Sequence, residues 1–295
     1  MAKIRDIRRR LRSVGKIQQI TKAMEKVAAS KMRRAQRATL SSRPYAYSAR
    51  EVLARLVLLV KRREHPLLAR RAVRQRLLIM FSSDRGLAGA YNSILFRALL
   101  DTLAVPGEAA APQIIVIGQK GALFASRLAR AGNVAVVGVY TDWPPEPTSA
   151  DVRPIAEAVT TRFVAKEIDQ VQLLYTNFVS SIRQQVVVRE LLPVDPEAIL
   201  GEGARVGTTV MESIFEPSPA EVLAYVVPRL IEVQIYQASL EAAASEQAMR
   251  MMAMKAASDN AEELIGDLTL TYNSARQASI TQELAEITTS AEAVR

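Results

Sequence analysis

Cysteine is absent from this chain of 295 residues. That excludes disulfides, iron–sulfur clusters, thiol catalysis and cysteine-built zinc sites, and it suits a reducing compartment. Histidine occurs once, as His65 before Pro66 in a polar connector. A lone loop histidine reads as a solvated side chain, so no imidazole is set aside for acid–base work or metal binding. No run approaches 18 uncharged apolar residues, and no segment reads as spanning a bilayer. The first ten residues are Arg-rich like a transit peptide, but they lack an apolar h-region and enter a helical pattern at once, with no cleavable leader before it.

Proline and glycine are scarce at both ends. Residues 1–43 hold no proline and only Gly15; residues 229–295 hold no proline and only Gly266. Each proline costs a helix interior ~3 kcal/mol and each glycine roughly 1, so such stretches predict two long helices. Helices of about 50 and 60 residues reach ~75 and ~90 Å, too long for a small domain. Each must bury its apolar stripe on something, and the two ends are natural partners.

In the first helix the apolar positions are Ile4, Ile7, Leu11, Val14, Ile17, Ile20, Met24 and Val27, a heptad seam with a three-residue slip near Gly15. It continues through small residues, Ala28, Ala29, Ala35 and Ala38. A break or kink is expected at Ser41–Pro44, followed by a second helical stretch over 52–60. The last helix is expected from about Arg229, after Pro228, with a seam of Ile280, Leu284, Ile287, Ala291 and Val294 reaching its end.

Charge is unevenly placed. The net charge is +9, yet residues 1–37 alone carry thirteen bases against Asp6 and Glu25, while residues 241–295 carry nine acids and four bases. Helices of opposite sign attract and help set their own pairing. The surplus positive charge must still face something acidic. Bases surround the whole first helix, and stacking aromatics are missing. Those two features count against nucleic acid, but charge of this density gives non-specific affinity for it, so a nucleic-acid-binding coiled coil stands as the alternative to a protein partner.

Between these ends the pattern changes to strand–helix alternation. Strands are expected over 77–81, 113–118 and 134–140, helices over 88–104, 121–131 and 150–169, and a closing hairpin over 171–178 and 185–190. This predicts a mostly parallel, doubly wound sheet with an antiparallel edge. The strand–helix turn Ser83-Asp84-Arg85-Gly86-Leu87-Ala88-Gly89 lies where phosphates bind in such sheets, as does Gly118-Gln119-Lys120-Gly121. Neither is a P-loop, and neither has the third glycine of a dinucleotide fingerprint. A capped tight turn is the simpler reading, with a nucleotide-dependent enzyme as a third possibility. No carboxylate pair or nucleophile–base pair falls in a cleft, and Glu283 and Glu286 share one face of the last helix. The methionines at 249, 251, 252 and 254 suit either an adaptable contact or ordinary coil packing.

Several strings, in order, carry a resemblance: residues 20–32 (ITKAMEKVAASKM), Ser42-Arg43-Pro44, residues 83–89 (SDRGLAG), residues 252–260 (MAMKAASDN) and residues 272–287 (YNSARQASITQELAEI). Over essentially its whole length the chain resembles the gamma subunits of F-type ATP synthases. The resemblance implies a long antiparallel coiled coil of N- and C-terminal helices plus a Rossmann-like α/β domain, divided as 1–60, 61–210 and 211–295. It implies a non-catalytic central shaft that couples rotation of a proton-driven membrane ring to ATP synthesis or hydrolysis in an alpha/beta hexamer. No cofactor, metal or nucleic acid is implied. The partners would be alpha and beta subunits, an epsilon-type subunit and the membrane ring. The location would be peripheral, on the cytoplasmic side of a bacterial cell membrane. Positions matching Arg276, Gln277, Thr281 and Glu283 would hydrogen-bond a catch region of beta, with Met24 and Arg250 nearby. Arg85 would face an acidic lever of beta, and Ile214, Phe215 and Glu216 the ring and epsilon. The chain departs from the family's pattern at Ser290, where glycine is usual, and at the polar Thr288 and Thr289.

Overall fold

The computed structural model describes residues 2–59, 65–104, 111–195, 216 and 218–293. The elements are α1 Ala2–Leu59, a 3-10 turn Pro66–Leu68, β1 Arg76–Phe81, α2 Tyr91–Leu103, β2 Gln113–Ile117, α3 Gln119–Arg130, β3 Ala135–Tyr140, α4 Ser149–Val164, β4 Gln170–Phe178, β5 Gln184–Leu192 and α5 Pro219–Ala293. Packing groups them into two compact units, residues 1–29 with 250–295 and residues 30–249.

In the larger unit, five strands form one sheet in the order β3-β2-β1-β4-β5. β1 pairs in parallel with β2 and β4, β2 in parallel with β3, and β5 lies antiparallel on β4. Alternation along β1 separates the two faces. Leu77, Ile79 and Phe81 pack with α4 (Val152, Ile155, Val159, Phe163) and the first part of α5 (Leu223, Val227, Leu230, Ile231). Leu78 and Met80 pack with Leu95 and Leu99 of α2 and Ala125 of α3. Each such side chain, fully buried, contributes roughly 1.5–3 kcal/mol, so covering both faces is what holds the central strands.

Three expectations are corrected here. α1 does not break at Ser41–Pro44; it runs through Pro44 to Leu59. Pro44 removes the amide that would bond the Leu40 carbonyl, and in the turns before it side-chain hydroxyls bond the backbone: Thr39 donates to the Ala35 carbonyl, Ser41 to Ala38 and Ser42 to Thr39. α5 begins ten residues before Arg229, with Pro219 in its first turn and Pro228 inside. Ser218 caps it, accepting the Glu221 amide at 3.2 Å. Buried residues on both sides of Pro228 offset its cost of about 3 kcal/mol. His65 is half-buried rather than solvated: its Nδ1 accepts the Leu67 amide at 3.3 Å, and burial pushes its pKa down.

Asp169 ties the segment before β1 to the end of α4. It accepts from Arg71 Nε at 2.6 Å and from the amides of Arg74 and Gln75 at 2.9 and 3.0 Å. Burial raises its pKa, but these donors outweigh burial and hold it below the ordinary aspartate value. A depressed folded pKa contributes stability that is present above the unfolded pKa and lost as pH falls through the folded one. Acid below about pH 4 should therefore weaken the fold. Asp169→Asn should cost about 2 kcal/mol at neutral pH and flatten that acid slope, which urea midpoints measured from pH 3 to 7 will show.

Candidate functional site

Two surfaces hold the residues singled out from the sequence. The first is the helix pair of the smaller unit. On α1 the covered positions include the series Ile7, Leu11, Val14, Gln18, Thr21, Glu25 and Ala28; on α5 they include Met254, Ser258, Ala261, Ile265, Leu268, Tyr272, Ala275 and Ser279. Both sets alternate in steps of four and three without interruption, the mark of a two-stranded coil. The expected slip near Gly15 does not occur. The seam instead crosses Gln18, whose amide reaches Glu262 at 3.5 Å, and Thr21, whose hydroxyl donates to the Gln18 carbonyl at 3.0 Å. Satisfied polar groups keep the seven-residue repeat at lower cost than a local overwinding would. Ile17, Ile20 and Val27 are left outside, 52%, 59% and 55% exposed. The expected terminal seam is also corrected: covered positions stop at Ser279, and Ile280, Leu284 and Ile287 are exposed with every other residue of 280–288. Ala291's side chain and Val294 lie outside what is described.

Arg276, Gln277, Thr281 and Glu283 are all exposed on α5. The 3.6-residue period brings Arg276 and Glu283 onto one face and Gln277 and Thr281 onto the neighbouring one. Ser279 donates to Glu283 at 3.4 Å. Met24 and Arg250 are partly buried on α1 and α5. Glu216 is exposed, whereas Ile214 and Phe215 lie outside the described residues.

The second surface is the turn between β1 and α2, in the larger unit. Ser83 and Asn92 bind each other twice, Asn92 Nδ2 donating to Ser83 Oγ at 2.7 Å and the Ser83 amide to Asn92 Oδ1 at 3.2 Å. Ser83 Oγ donates to the Arg85 carbonyl at 2.8 Å. Asp84 accepts three backbone amides, Gln119 at 2.9 Å, Asp142 at 3.2 Å and Trp143 at 3.0 Å. Trp143 in turn donates its indole N–H to Ser239 of α5 at 2.9 Å. Arg85 and Leu87 stand exposed on this braced turn.

The bracing also bears on the second phosphate-like turn, Gly118–Gly121. The first amides of α3 are already used: Gln119 by Asp84, Lys120 by the Ser83 carbonyl at 3.0 Å, Gly121 by Ser82 Oγ at 2.9 Å and Ala122 by the Gly118 carbonyl at 3.1 Å. A free helix N-terminus attracts anions because those amides are orphaned. Here they are not, and the Asp84 carboxylate would repel a phosphate. Sequence reasoning missed Asp84 because its partners lie 35 to 59 residues away. The run of strand-end and loop polar residues around it was the one available signal.

The family model described as ATP synthase matches residues 3–294. The chain is 41% identical over 295 residues to the ATP synthase gamma chain of Moorella thermoacetica, covering 100% of both. It is 42% identical to that of Brevibacillus brevis, covering 99% of both. The chain belongs to the ATP synthase gamma chain family. Among solved structures it is similar to a chain of the central stalk and c-ring of Tetrahymena thermophila mitochondrial ATP synthase, at 28% identity with a TM-score of 0.60, covering 81% of this chain and 99% of that one. A chain of the Euglena gracilis mitochondrial enzyme shares the fold at 20% identity with a TM-score of 0.67, covering 99% and 95%. The function is that of gamma chains: the central stalk of F-type ATP synthase, the rotor of a rotary motor. The nucleic-acid reading of the basic helix gains no support from these relatives. Among the described residues, no helix is long and apolar enough to cross a membrane.

Proposed function

We propose that this gamma chain transmits torque without carrying out a chemical step, and that its coiled coil and 82–89 turn are the surfaces through which it does so. The coil works inside a catalytic alpha/beta hexamer, and the larger unit works with the membrane ring and an epsilon-type subunit. The complex is peripheral to the cytoplasmic face of a bacterial membrane. The related structures are of a central stalk with its c-ring, a rotor, and an F1/c-ring assembly, which supports the hexamer and the ring as partners. Met24, Arg250, Arg276, Gln277, Thr281 and Glu283 meet the hexamer along the coil, and Arg85 meets it from the turn. Ile214, Phe215 and Glu216 meet the ring or epsilon.

The observation that carries this reading is the helix pair of residues 1–29 and 250–293, whose covered positions stop at Ser279 among the described side chains and leave Arg276, Gln277, Thr281 and Glu283 outside. Exposed donors and acceptors on a helix can exchange partners at each step without disturbing what holds the helix, because none of them is part of its core. A guanidinium such as that of Arg276 or Arg85 makes two parallel bonds to a carboxylate, which suits a contact that must hold and then release.

Arg276→Glu and Gln277→Ala should each lower proton-driven ATP synthesis by roughly fivefold, the equivalent of about 1 kcal/mol at an exposed contact, with subunit stoichiometry and thermal midpoint unchanged. Synthesis in inverted membrane vesicles reads the effect directly. If both variants make ATP at the normal rate, the catch assignment has no support left.

A further inference from the structure

The loop between β3 and α4 is stiffer than a simple connection needs to be. It reads Asp142-Trp143-Pro144-Pro145-Glu146-Pro147, and three prolines in six residues fix φ at half of its positions. Bonds run from this loop and the start of α4 to both long helices, all within the larger unit. The Trp143 indole donates to Ser239 of α5 at 2.9 Å, and its ring stands edge-on to Tyr140. Ser149, the first residue of α4, donates its hydroxyl to Glu232 of α5. Glu232 is 7% exposed and also pairs with Arg229 at 2.9 Å. Glu146 pairs with Arg34 of α1 at 3.0 Å. The loop is itself held from behind: Asp84 binds the amides of Asp142 and Trp143, and Asp151 binds that of Thr148 at 2.7 Å.

Glu232 and Ser239 lie about two turns apart on one flank of α5, roughly 80° around the helix from Ile231, Ile235, Ala238 and Ala242, which pack into the core with the sheet and α4. Apolar packing holds a helix down but has no direction of its own, whereas hydrogen bonds do. Two bonds on one flank, at two heights, therefore oppose the motion that the apolar seat resists least, the rolling of α5 about its own axis. We infer that residues 142–149 form a torque clamp, in which Trp143 and Ser149 are positioning residues that keep α5 from turning within the α/β unit while the shaft is driven. The inference rests on the reading that the coil works in the hexamer and the larger unit with the membrane ring. It adds the joint at which twist passes from helix to α/β body. The Arg34–Glu146 pair extends the hold to α1 and contributes least, because both side chains stay hydrated.

The test uses the complete ATP synthase assembled with gamma chains carrying Trp143→Phe and Ser149→Ala together, which removes both donors and leaves the apolar seat. ATP hydrolysis and the proton pumping it drives are measured side by side in inverted membrane vesicles. Hydrolysis should stay near normal, the ring should co-purify in its usual ratio to gamma, and protons pumped per ATP should fall about threefold. Ser149→Thr keeps the hydroxyl and should pump normally; a loss equal to that of Ser149→Ala overturns the inference. A role in folding alone predicts that hydrolysis and pumping fall in proportion. That result, an unchanged ratio in the double variant, or loss of the ring overturns the inference. Should the double variant not assemble, the single variants supply a second measurement, because slip grows with load. For Trp143→Phe and for Ser149→Ala the shortfall in pumping should widen as the opposing proton gradient rises; no shortfall, or one that ignores the gradient, overturns the inference. The unaltered complex separates the two readings. Normal coupling in it and in the variants removes only the clamp, whereas an unaltered gamma chain that assembles with neither hexamer nor ring removes the rotor contacts as well.

Discussion

Gly118→Ala should unfold the α/β unit at markedly lower urea and abolish most coupled ATP synthesis. Gly118 has φ 96°, and a Cβ placed on it would sit 2.3 Å from the Ser82 carbonyl oxygen and 2.7 Å from the carbonyl carbon. That oxygen belongs to backbone at the end of β1, so it cannot swing aside as a side-chain tip could. The Ser82 amide is bonded to the Ile117 carbonyl, and the Gly118 amide to that of Tyr140, both at 2.8 Å. Relief requires the ends of β1 and β2 to separate, which breaks the Ser82–Ile117 bond, and the left-handed backbone adds its own penalty. A loss of about 4 kcal/mol is expected. The separation would also displace Asp84 from the Gln119 amide, and with it the turn that carries Arg85. Urea titration of the purified chain and synthesis by the assembled complex measure the two effects. A midpoint close to that of the unaltered chain would mean that the approach of Gly118 to Ser82 is not as tight as described.

Ala28→Asp should melt the helix pair, while Val27→Asp, one residue earlier, should be nearly silent. Ala28 is 1% exposed and lies in the seam; Val27 points outward. A carboxylate placed at Ala28 loses water without gaining a partner, a cost of about 3 kcal/mol, whereas the same group at Val27 stays hydrated. Helical circular dichroism and protease sensitivity of residues 1–29 and 250–293 distinguish the two. The reverse ranking would restore the seam expected from the apolar spacing alone and sink the one observed.

That contrast marks what the sequence could and could not convey. The strands were legible to within a residue or two because short β-rich runs bounded by turn residues have few other uses. The helix pair was legible because proline and glycine are missing from both ends. The path of the seam was not. Ile17, Ile20 and Val27 look like core by hydrophobicity, but the coil keeps its seven-residue repeat through Gln18 and Thr21, whose polar groups find partners. Nor were the helix boundaries at Pro44 and Pro228 legible. Proline's local cost is visible in the sequence, whereas the tertiary packing that outweighs it around Pro228 is not. Arg276, Gln277, Thr281 and Glu283 lie exposed on the last helix, whose existence was legible from missing proline and glycine, whereas their contacts were implied by the resemblance alone.

Asp84 has a consequence for how the motor behaves over time. In doubly wound domains that hold a diffusible anion at this location, rigidity rises and falls with ligand supply. Here the anion is covalently part of the chain and cannot leave. The bracket that links the turn to α5 is therefore made without any bound anion. A rotor that must deliver the same push whatever the nucleotide supply gains from having its own permanent plug at the mouth of the sheet.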